Sequence, residues 1–288
     1  MLPAMGAKPR IAIVGVGRLG SSLAVALRRA GYQVSELVGR SGSRSAGKAR
    51  RLARKLDARF SLPQAAHLDA EVIWFCVPDR EISSSARSLA GRGSWQGKAA
   101  FHSSGALTSA ELGALERQGA RVASVHPLMS FVRGVVPSLE GVPFALEGNP
   151  GALKVAKEIV RNLGGIAFRI PAKNKVAYHA WGAFASPLAI ALFLTAERVA
   201  AAAGIPPREA RRRMLPILRQ TLENYCRWGG AAALSGPLVR GDLEILGKHL
   251  EALKTIPEAK DVYRALSRSA LRLLPVEERR ALDKALRD

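Results

Sequence analysis

Residues 10–24 run Arg10-Ile-Ala-Ile-Val-Gly-Val-Gly-Arg-Leu-Gly-Ser-Ser-Leu-Ala24 and carry the strongest structural signal in this chain of 288 residues. Ile11 to Val14 is a short apolar run, typical of a strand that is buried on both faces. From Leu19 to Ala30 the apolar residues recur at helical intervals. Between the two lie three glycines in G-x-G-x-x-G spacing, Gly15, Gly17 and Gly20. The pattern predicts the strand, turn and helix that open a dinucleotide-binding unit.

Each glycine has a predicted role in such a site. Gly15 makes the tight turn, Gly17 lets the backbone approach a pyrophosphate, and Gly20 lets the helix pack close to the strand. The pyrophosphate would lie against the N–H groups that begin the helix. The alternative is a glycine-rich turn that binds nothing, but a second apolar run, 34–38, follows at the expected distance. We therefore expect cofactor contacts from Gly15, Val16, Gly17, Arg18, Leu19 and Gly20.

The residues after this second strand predict which dinucleotide is bound. An NAD site carries an acidic residue here, which accepts hydrogen bonds from the ribose 2′-hydroxyl. This chain has Arg40, Ser41 and Arg44 instead, and two cations with a hydroxyl suit a 2′-phosphate. The sequence therefore favours NADP over NAD. If Arg40 only stacks on the adenine, the preference stays open.

Polar residues follow three further predicted strands. The strand predicted from Glu71 is apolar from Val72 to Val77 and ends at Pro78, and in a doubly wound sheet its carboxyl end faces the cofactor. We expect Val77, Pro78 and Asp79 to line the nicotinamide-ribose side, although Asp79 is equally well explained as a helix N-cap. The next two strands end in a polar group at the same sheet edge, where we expect a substrate cleft. These residues are His102, Ser103 and Ser104, then His126, and the alternative for each histidine is a purely structural role.

Strand-like patterns stop after Pro171 and helical ones take over. Residues 173–203 predict one long helix, kinked at Pro187 and largely apolar from Trp181 to Ala196. The uncharged run is shorter than the roughly 20 residues that a membrane span needs. We therefore expect no membrane span, and burial of this helix within a helical domain or a homodimer. The predicted fold is an α/β Rossmann-type dinucleotide-binding domain, residues 1–171, followed by an all-α domain, residues 172–288.

Composition narrows the class of protein further. The net charge of +21 lies partly on one face of a helix at 44–55, which fits a solvated face or attraction of an anionic cofactor or substrate. Nucleic-acid binding is disfavoured because the few aromatic residues do not alternate with the basic ones. Cys76 and Cys226 form neither a disulfide framework nor a metal-binding spacing. From the absence of such a spacing we expect no bound metal. Residues 1–10 lack the apolar core of a signal peptide, so we expect a cytoplasmic protein.

Five short motifs carry a resemblance to known proteins. They are Val77-Pro-Asp79, His102-Ser-Ser-Gly105, His126-Pro127, Lys175-x-x-Tyr178-His179 and Gly236-Pro-x-x-Arg240-Gly-Asp242. With them the chain resembles the 6-phosphogluconate dehydrogenase C-terminal-like superfamily, which includes pyrroline-5-carboxylate reductase, ketopantoate reductase, prephenate dehydrogenase and β-hydroxyacid dehydrogenases. The resemblance is closest to a branch of Rossmann-like NADP oxidoreductases with a helical domain of unknown function, and it implies a homodimer.

The resemblance also implies where catalysis occurs. In the β-hydroxyacid dehydrogenases, a lysine and an asparagine one turn apart on the long helix face the substrate. Lys175 and His179 have that spacing here, and the histidine means that the relatives' mechanism does not carry over whole. The branch tends to carry an asparagine later in the helix, where this chain has Pro187, so that position has no assigned role.

The expected function is NADP-dependent hydride transfer between nicotinamide and a small carbonyl, imine or alcohol substrate in an interdomain cleft. Lys175 is the first candidate for proton donor or carbonyl polariser, followed by His179 and His126. His102, Ser103 and Ser104 would contact the substrate, and Arg240 would bind its carboxylate or phosphate. The alternative is a non-catalytic NADP-binding sensor or scaffold, in which the histidines and serines are structural.

Overall fold

The computed structural model describes residues 8–40 and 44–287, without the side chains of residues 44 and 45. Eight strands form one sheet in the order β3-β2-β1-β4-β5-β6-β7-β8. Neighbouring strands are parallel, except that β6 and β7 pair in the antiparallel direction. The strands are β1 Ile11–Val14, β2 Val34–Val38, β3 Arg59–Ser61, β4 Val72–Phe75, β5 Ala99–His102, β6 Arg121–Pro127, β7 Pro143–Gly148 and β8 Ile166–Arg169.

Helices cover both faces of this sheet because alternate strand residues point to opposite sides. Ile11 and Ile13 pack in one cluster with side chains of α1, α2 and α5. Ala12 and Val14 pack in the other cluster with side chains of α3 and α4. The helices are α1 Arg18–Arg29, α2 Arg44–Leu56, α3 Asp79–Ala90, α4 Gly113–Glu116 and α5 Pro150–Asn162. Burial on both faces explains why the strands are continuous apolar runs in the sequence.

The rest of the described chain is helical. The predicted fold class, a Rossmann-type α/β domain followed by an all-α domain, is therefore confirmed. The structure forms two compact units, Met1–Ala183 and Phe184–Asp288. The first unit extends past residue 171, the predicted end of the first domain, because Lys175 and Tyr178 contact the sheet edge. The helices are α6 Lys175–Ala185, α7 Pro187–Ala202, α8 Pro207–Ala233, α9 Leu243–Ala252, α10 Pro257–Leu273 and α11 Arg279–Ala285.

The predicted long helix is broken rather than kinked at Pro187. Ser186 has φ −130° and ψ −79°, outside the helical region, and separates α6 from α7. Proline causes the break because it lacks an N–H group and its ring collides with the preceding turn. The stretch Ala172–Ala202 is long and apolar enough, by length and composition, to cross a membrane. The helices on either side of Ser186 have 11 and 16 residues, and each is shorter than the roughly 20 that a straight span needs.

Candidate active site

Two of the three motif glycines are required by the fold itself. Gly15 has φ +99°, and a Cβ on it would lie 2.7 Å from the carbonyl oxygen of Cys76. A Cβ on Gly20 would overlap the carbonyl oxygen of Gly15. Any larger side chain at either position would therefore push β1, α1 and the end of β4 apart.

Gly17 has no comparable structural reason to be glycine. Its φ of −85° is open to any residue, and within the described residues no neighbouring side chain or strand lies within 4 Å of the position that its Cβ would take. It precedes α1, whose first turn carries Arg18 and no acidic residue. No described side chain caps this helix end, so its first N–H groups are available to an anion. A ligand phosphate approaching the backbone would explain a glycine here.

A cavity of about 330 Å³ opens beside this turn. Such a volume, an uncapped helix start and a cation at the mouth fit a dinucleotide. The sequence predicted Arg40 as a partner of the 2′-phosphate. In the structure its guanidinium already has a partner, since Nη2 lies 3.2 Å from the Glu81 carboxylate. Ser41 lies outside the described residues, as does the side chain of Arg44, so neither can be placed. The lining includes Gly15, Val16, Gly17, Arg40, Val77, Pro78 and Glu81.

Asp79 and the two serines after β5 all have hydrogen-bond partners within the protein. Asp79 is the first residue of α3 and Pro78 is the N-cap, so Asp79 does not cap the helix. Its carboxylate accepts a hydrogen bond of 2.8 Å from Ser104 Oγ. Ser104 Oγ in turn accepts from the N–H groups of residues 106 and 107. Ser103 Oγ accepts a hydrogen bond of 2.8 Å from Trp74 Nε1. These contacts fix the loop after β5.

His102 has both ring nitrogens engaged by backbone. The side chain is fully buried, and Nδ1 accepts a hydrogen bond from the Ser104 N–H. Nε2 therefore carries the hydrogen and donates it to the Thr108 carbonyl oxygen at 2.8 Å. Burial lowers the pKa of His102 to about 4, so the ring is neutral at pH 7. The substrate contact of His102 stays a prediction. Both of its ring nitrogens are already hydrogen-bonded to the backbone, so neither is free to bind a substrate.

Lys175 is fully buried at the carboxyl ends of β5 and β6. Its Nζ donates to Ser124 Oγ at 2.7 Å and to the Ser104 carbonyl oxygen at 3.1 Å. Burial lowers the pKa of Lys175 to about 8, partly offset by the charges of Glu147 and Asp79. The amine is therefore mostly protonated at pH 7 and loses its proton near pH 8. That is the range in which a lysine can act as a general acid or base.

His126 lies beside Lys175 on the same sheet edge. Its Nδ1 is 2.9 Å from the Tyr178 hydroxyl, and its ring centroid is 6.0 Å from that of His179. Burial lowers the pKa of His126 to about 4, with a smaller contribution from the Lys175 charge. A Cβ on Gly105 would lie 2.9 Å from His126 Nε2 and 2.6 Å from His179 Cδ2. Both histidine rings therefore pack against Gly105, and a side chain at this position would displace them.

The structure brings together some of the predicted residues. Lys175, His126 and His179 converge next to Ser104, while Val77 and Pro78 line the cavity beside the glycine turn. The carboxyl end of β4 lies next to both places: a Cβ on Gly15 would lie 2.7 Å from the Cys76 carbonyl oxygen, and the Ser103 N–H donates to the Phe75 carbonyl oxygen. Arg240 lies in the second unit, in the turn between α8 and α9, and its predicted role is untested.

Sequence reasoning missed three residues of this region. Ser124 binds Lys175, Tyr178 binds His126, and Glu81 binds Arg40. Two of them left a local signal. Ser124 is two residues before His126, which puts both on one face of a strand. Tyr178 is three residues after Lys175, which puts both on one side of a helix.

Two family models match consecutive parts of the chain. A Rossmann-like domain matches residues 4–127, and a domain of unknown function, DUF2520, matches residues 142–270. A search of the curated proteins found no match.

Several solved structures share the fold. A protein from Thermotoga maritima is 26% identical with a TM-score of 0.68, covering 89% of this chain and 95% of its own. A provisionally assigned NADP oxidoreductase from Bacteroides fragilis is 20% identical with a TM-score of 0.75, covering 91% and 97%. A reductive aminase from Aspergillus terreus, in complex with NADPH4, cyclohexanone and allyl amine, is 18% identical with a TM-score of 0.61, covering 95% of each chain. The two domain matches together show that a Rossmann-like domain is followed in this chain by the helical domain DUF2520.

Proposed function

We propose that the chain is an NADP-dependent oxidoreductase, which transfers a hydride between nicotinamide and a small carbonyl, imine or alcohol compound. The observation that carries this proposal is the buried Lys175 amine, held by Ser124 and Ser104 at the sheet edge that also bears the glycine turn. A buried amine without a salt-bridge partner in the described chain costs stability, and such costs concentrate at functional sites. The reductive aminase with the same fold gives the substrate class independent support.

The residues of the chain have distinct tasks in this proposal. Gly17 and the first turn of α1 bind the pyrophosphate, and Arg40 faces the 2′-phosphate. The bound NADP supplies or accepts the hydride. Lys175 holds the proton that a substrate oxygen or nitrogen gains on reduction, and its two hydrogen bonds orient the amine. His126 and His179 border the space beside it.

The pKa of Lys175 sets the direction of the pH dependence. Reduction needs the protonated amine, so its rate should be constant below about pH 8 and fall as the pH rises through that value. Oxidation needs the free amine and should rise over the same range. A Lys175→Ala variant should lose turnover by a factor on the order of 100 to 10,000 while keeping NADPH affinity. Lys173→Ala, on the exposed side two residues earlier, is the matched control.

Cofactor choice can be tested without a substrate. We expect NADPH to bind at least tenfold more tightly than NADH, which corresponds to about 1.4 kcal/mol. Replacing Arg40 and Arg44 with alanine should remove most of this difference by weakening NADPH alone. Equal affinities for the two cofactors in calorimetry of the unmodified chain would contradict the NADP assignment.

A non-catalytic NADP-binding sensor or scaffold is the second candidate. This candidate is favoured because the side chains of His102, Ser103 and Ser104 are hydrogen-bonded to other groups of the protein. The two candidates differ in whether NADPH is consumed. Incubation with NADPH and a panel of small ketones, aldehydes and imines should oxidise it if the chain is an enzyme. Tight NADPH binding without consumption by any compound that binds would favour the sensor.

The proposal includes a cytoplasmic homodimer, to which the apolar helices of the second unit would contribute. Large apolar side chains stay exposed there, and contiguous apolar surface of this kind marks association sites. They include Phe184 at 72%, Ile190 at 55%, Leu194 at 53% and Ile217 at 67% exposure.

A further inference from the structure

The hydrogen bond between Tyr178 and His126 determines which ring nitrogen of His126 is free. The Tyr178 hydroxyl is 2.9 Å from Nδ1, and Tyr178 is only 7% exposed. Burial raises the pKa of Tyr178 to about 12, so the phenol keeps its proton. Burial also leaves His126 neutral at pH 7, with a pKa of about 4. The pair therefore shares one hydrogen bond between two neutral groups.

The two directions of this hydrogen bond differ in which hydrogen they leave unpaired. In the described part of the chain, the Tyr178 hydroxyl has no other hydrogen-bond partner. If the phenol donates to Nδ1, its hydrogen is used and the ring hydrogen of His126 lies on Nε2. The opposite direction would leave a buried phenol hydrogen without an acceptor, which is costly. His126 is therefore an Nε2–H tautomer.

The free N–H of His126 lies next to Gly105. Among the described residues, Nε2 is not one of the buried side-chain atoms that lack a hydrogen-bond partner, so it remains accessible. Nε2 would lie 2.9 Å from a Cβ on Gly105, so any other residue there would block it. The residue before Gly105 is Ser104, whose carbonyl oxygen accepts a hydrogen bond from Lys175. A neutral N–H donor and a protonated amine thus both lie next to the loop 104–105, His126 at Gly105 and Lys175 at Ser104.

We propose that Tyr178 is a positioning residue that holds His126 as a neutral Nε2–H donor, and that this N–H binds the oxygen of a substrate carbonyl. The inference rests on the proposed function and narrows its substrate class to compounds whose reacting group carries an oxygen. On reduction the carbonyl carbon gains the hydride of the cofactor and the oxygen gains the proton of Lys175. His126 keeps its own hydrogen throughout, because it stabilises developing negative charge without transferring a proton.

The tautomer can be read directly by NMR. The full chain would be labelled with 15N histidine and followed from pH 5 to 9, with the His126 signals assigned by their loss in His126→Asn. We expect a neutral ring across this range, with its proton on Nε2. Tyr178→Phe removes only the hydroxyl, and it should convert His126 to a mixture of both tautomers. A proton on Nδ1, a charged ring near pH 7, or no change in Tyr178→Phe would overturn the proposal.

A second tyrosine–histidine pair in the chain provides a matched control. His249 Nδ1 lies 3.0 Å from the Tyr263 hydroxyl in the helical unit. Tyr263→Phe should change the His249 signals and leave those of His126 unaltered. If Tyr263→Phe shifts His126 as strongly as Tyr178→Phe does, the effect is general destabilisation and the proposal is wrong.

Two binding measurements separate this inference from the proposed function. The NADPH affinity of Tyr178→Phe should stay within about twofold of that of the unmodified chain. If the unmodified chain binds no NADPH, the proposed function is wrong, whereas the tautomer of His126 is decided by the NMR measurement alone. Cyclohexanone, added to the NADP-saturated protein as a minimal carbonyl probe, should shift the His126 Nε2–H signal and not that of His249. An unmoved His126 signal at saturating probe would contradict the donor role.

Discussion

The free energy of unfolding should record the unusual burial of Lys175. The side chain is fully buried, and its pKa falls from 10.5 to about 8 on folding. Below pH 8 the amine is charged in both folded and unfolded chains, and burial of the charge destabilises the fold. Between pH 8 and 10.5 the unfolded chain binds more protons than the folded one, so the stability of the folded chain rises with pH.

Replacing this amine with an apolar side chain of similar length should therefore stabilise the protein at neutral pH. Lys175→Met should raise the free energy of unfolding at pH 7, and its advantage should shrink by on the order of 3 kcal/mol as the pH approaches 10.5. Urea unfolding of both chains at several pH values measures this difference. Lys173→Met, on the exposed side of the chain, should show no such trend. An advantage that does not vary with pH would mean that the lysine is not desolvated.

Glu81 is predicted to weaken NADPH binding. Its carboxylate pairs with Arg40 at 3.2 Å across the cavity, and a 2′-phosphate would have to displace it. Glu81→Gln removes the competing charge, and we expect NADPH affinity to rise about two- to tenfold with a smaller change for NADH, in keeping with an exposed ion pair. Glu116→Gln changes the net charge equally at an exposed residue of α4 and serves as control. If calorimetry shows that Glu81→Gln binds NADPH more weakly than the unmodified chain, Glu81 and the 2′-phosphate do not compete for Arg40.

The turn between β1 and α1 separates structural from ligand-facing glycines. Gly17→Ala should leave the midpoint of thermal unfolding nearly unchanged, because within the described residues no neighbouring side chain or strand lies within 4 Å of the new Cβ and φ is −85°. The same change should lower NADPH affinity at least tenfold, since the methyl group occupies the space of the pyrophosphate. Gly15→Ala should instead destabilise the fold, because φ is +99° and the Cβ would lie 2.7 Å from the Cys76 carbonyl oxygen. Thermal melts with and without NADPH distinguish the two effects, and unaltered NADPH affinity in Gly17→Ala would contradict a pyrophosphate contact there.

The break at Ser186 changes how the apolar stretch of the chain is interpreted. A continuous helix over 172–202 would be long and apolar enough to span a bilayer, whereas α6 and α7 are separate helices of 11 and 16 residues. Lys175, at the start of α6, is buried against the sheet rather than in lipid. Contact with another protein surface is therefore the more economical way to cover these apolar side chains.

At the scale of the whole molecule, we expect a homodimer in solution. Ile190 and Leu194 lie one turn apart on α7 and are 55% and 53% exposed. Replacing both with glutamate should convert the dimer to a monomer at micromolar concentration, because burying two carboxylates in an apolar interface is costly. Light scattering measures the mass. Ile166→Glu, at a 60% exposed position on the edge strand β8, should leave the dimer intact. A monomeric unmodified chain would contradict the prediction.

Much of the fold could be predicted from the sequence because it depends on neighbours along the chain. The buried strands β1 and β4 are unbroken apolar runs, and α1 repeats its apolar residues at helical spacing. The glycine turn needs only three residues at fixed spacing, and Gly15 adopts the positive φ that its role requires. The carboxyl ends of parallel strands meet at one edge of a sheet, and this rule predicts that His126 and the loop after β5 lie at the same edge.

The site contacts could be known only from the tertiary structure, because their partners lie far apart along the chain. Lys175 binds a serine 51 residues earlier, and Tyr178 binds a histidine 52 residues earlier. Both pairs form because β5 and β6 are adjacent and α6 returns to their carboxyl ends, an outcome of strand order and not of local periodicity. The same holds for the pKa of Lys175, since only burial at the sheet edge lowers it to about 8. The sequence by itself thus determined the fold class and the position of the cofactor turn, whereas long-range packing determined the protonation states and hydrogen bonds of the candidate site.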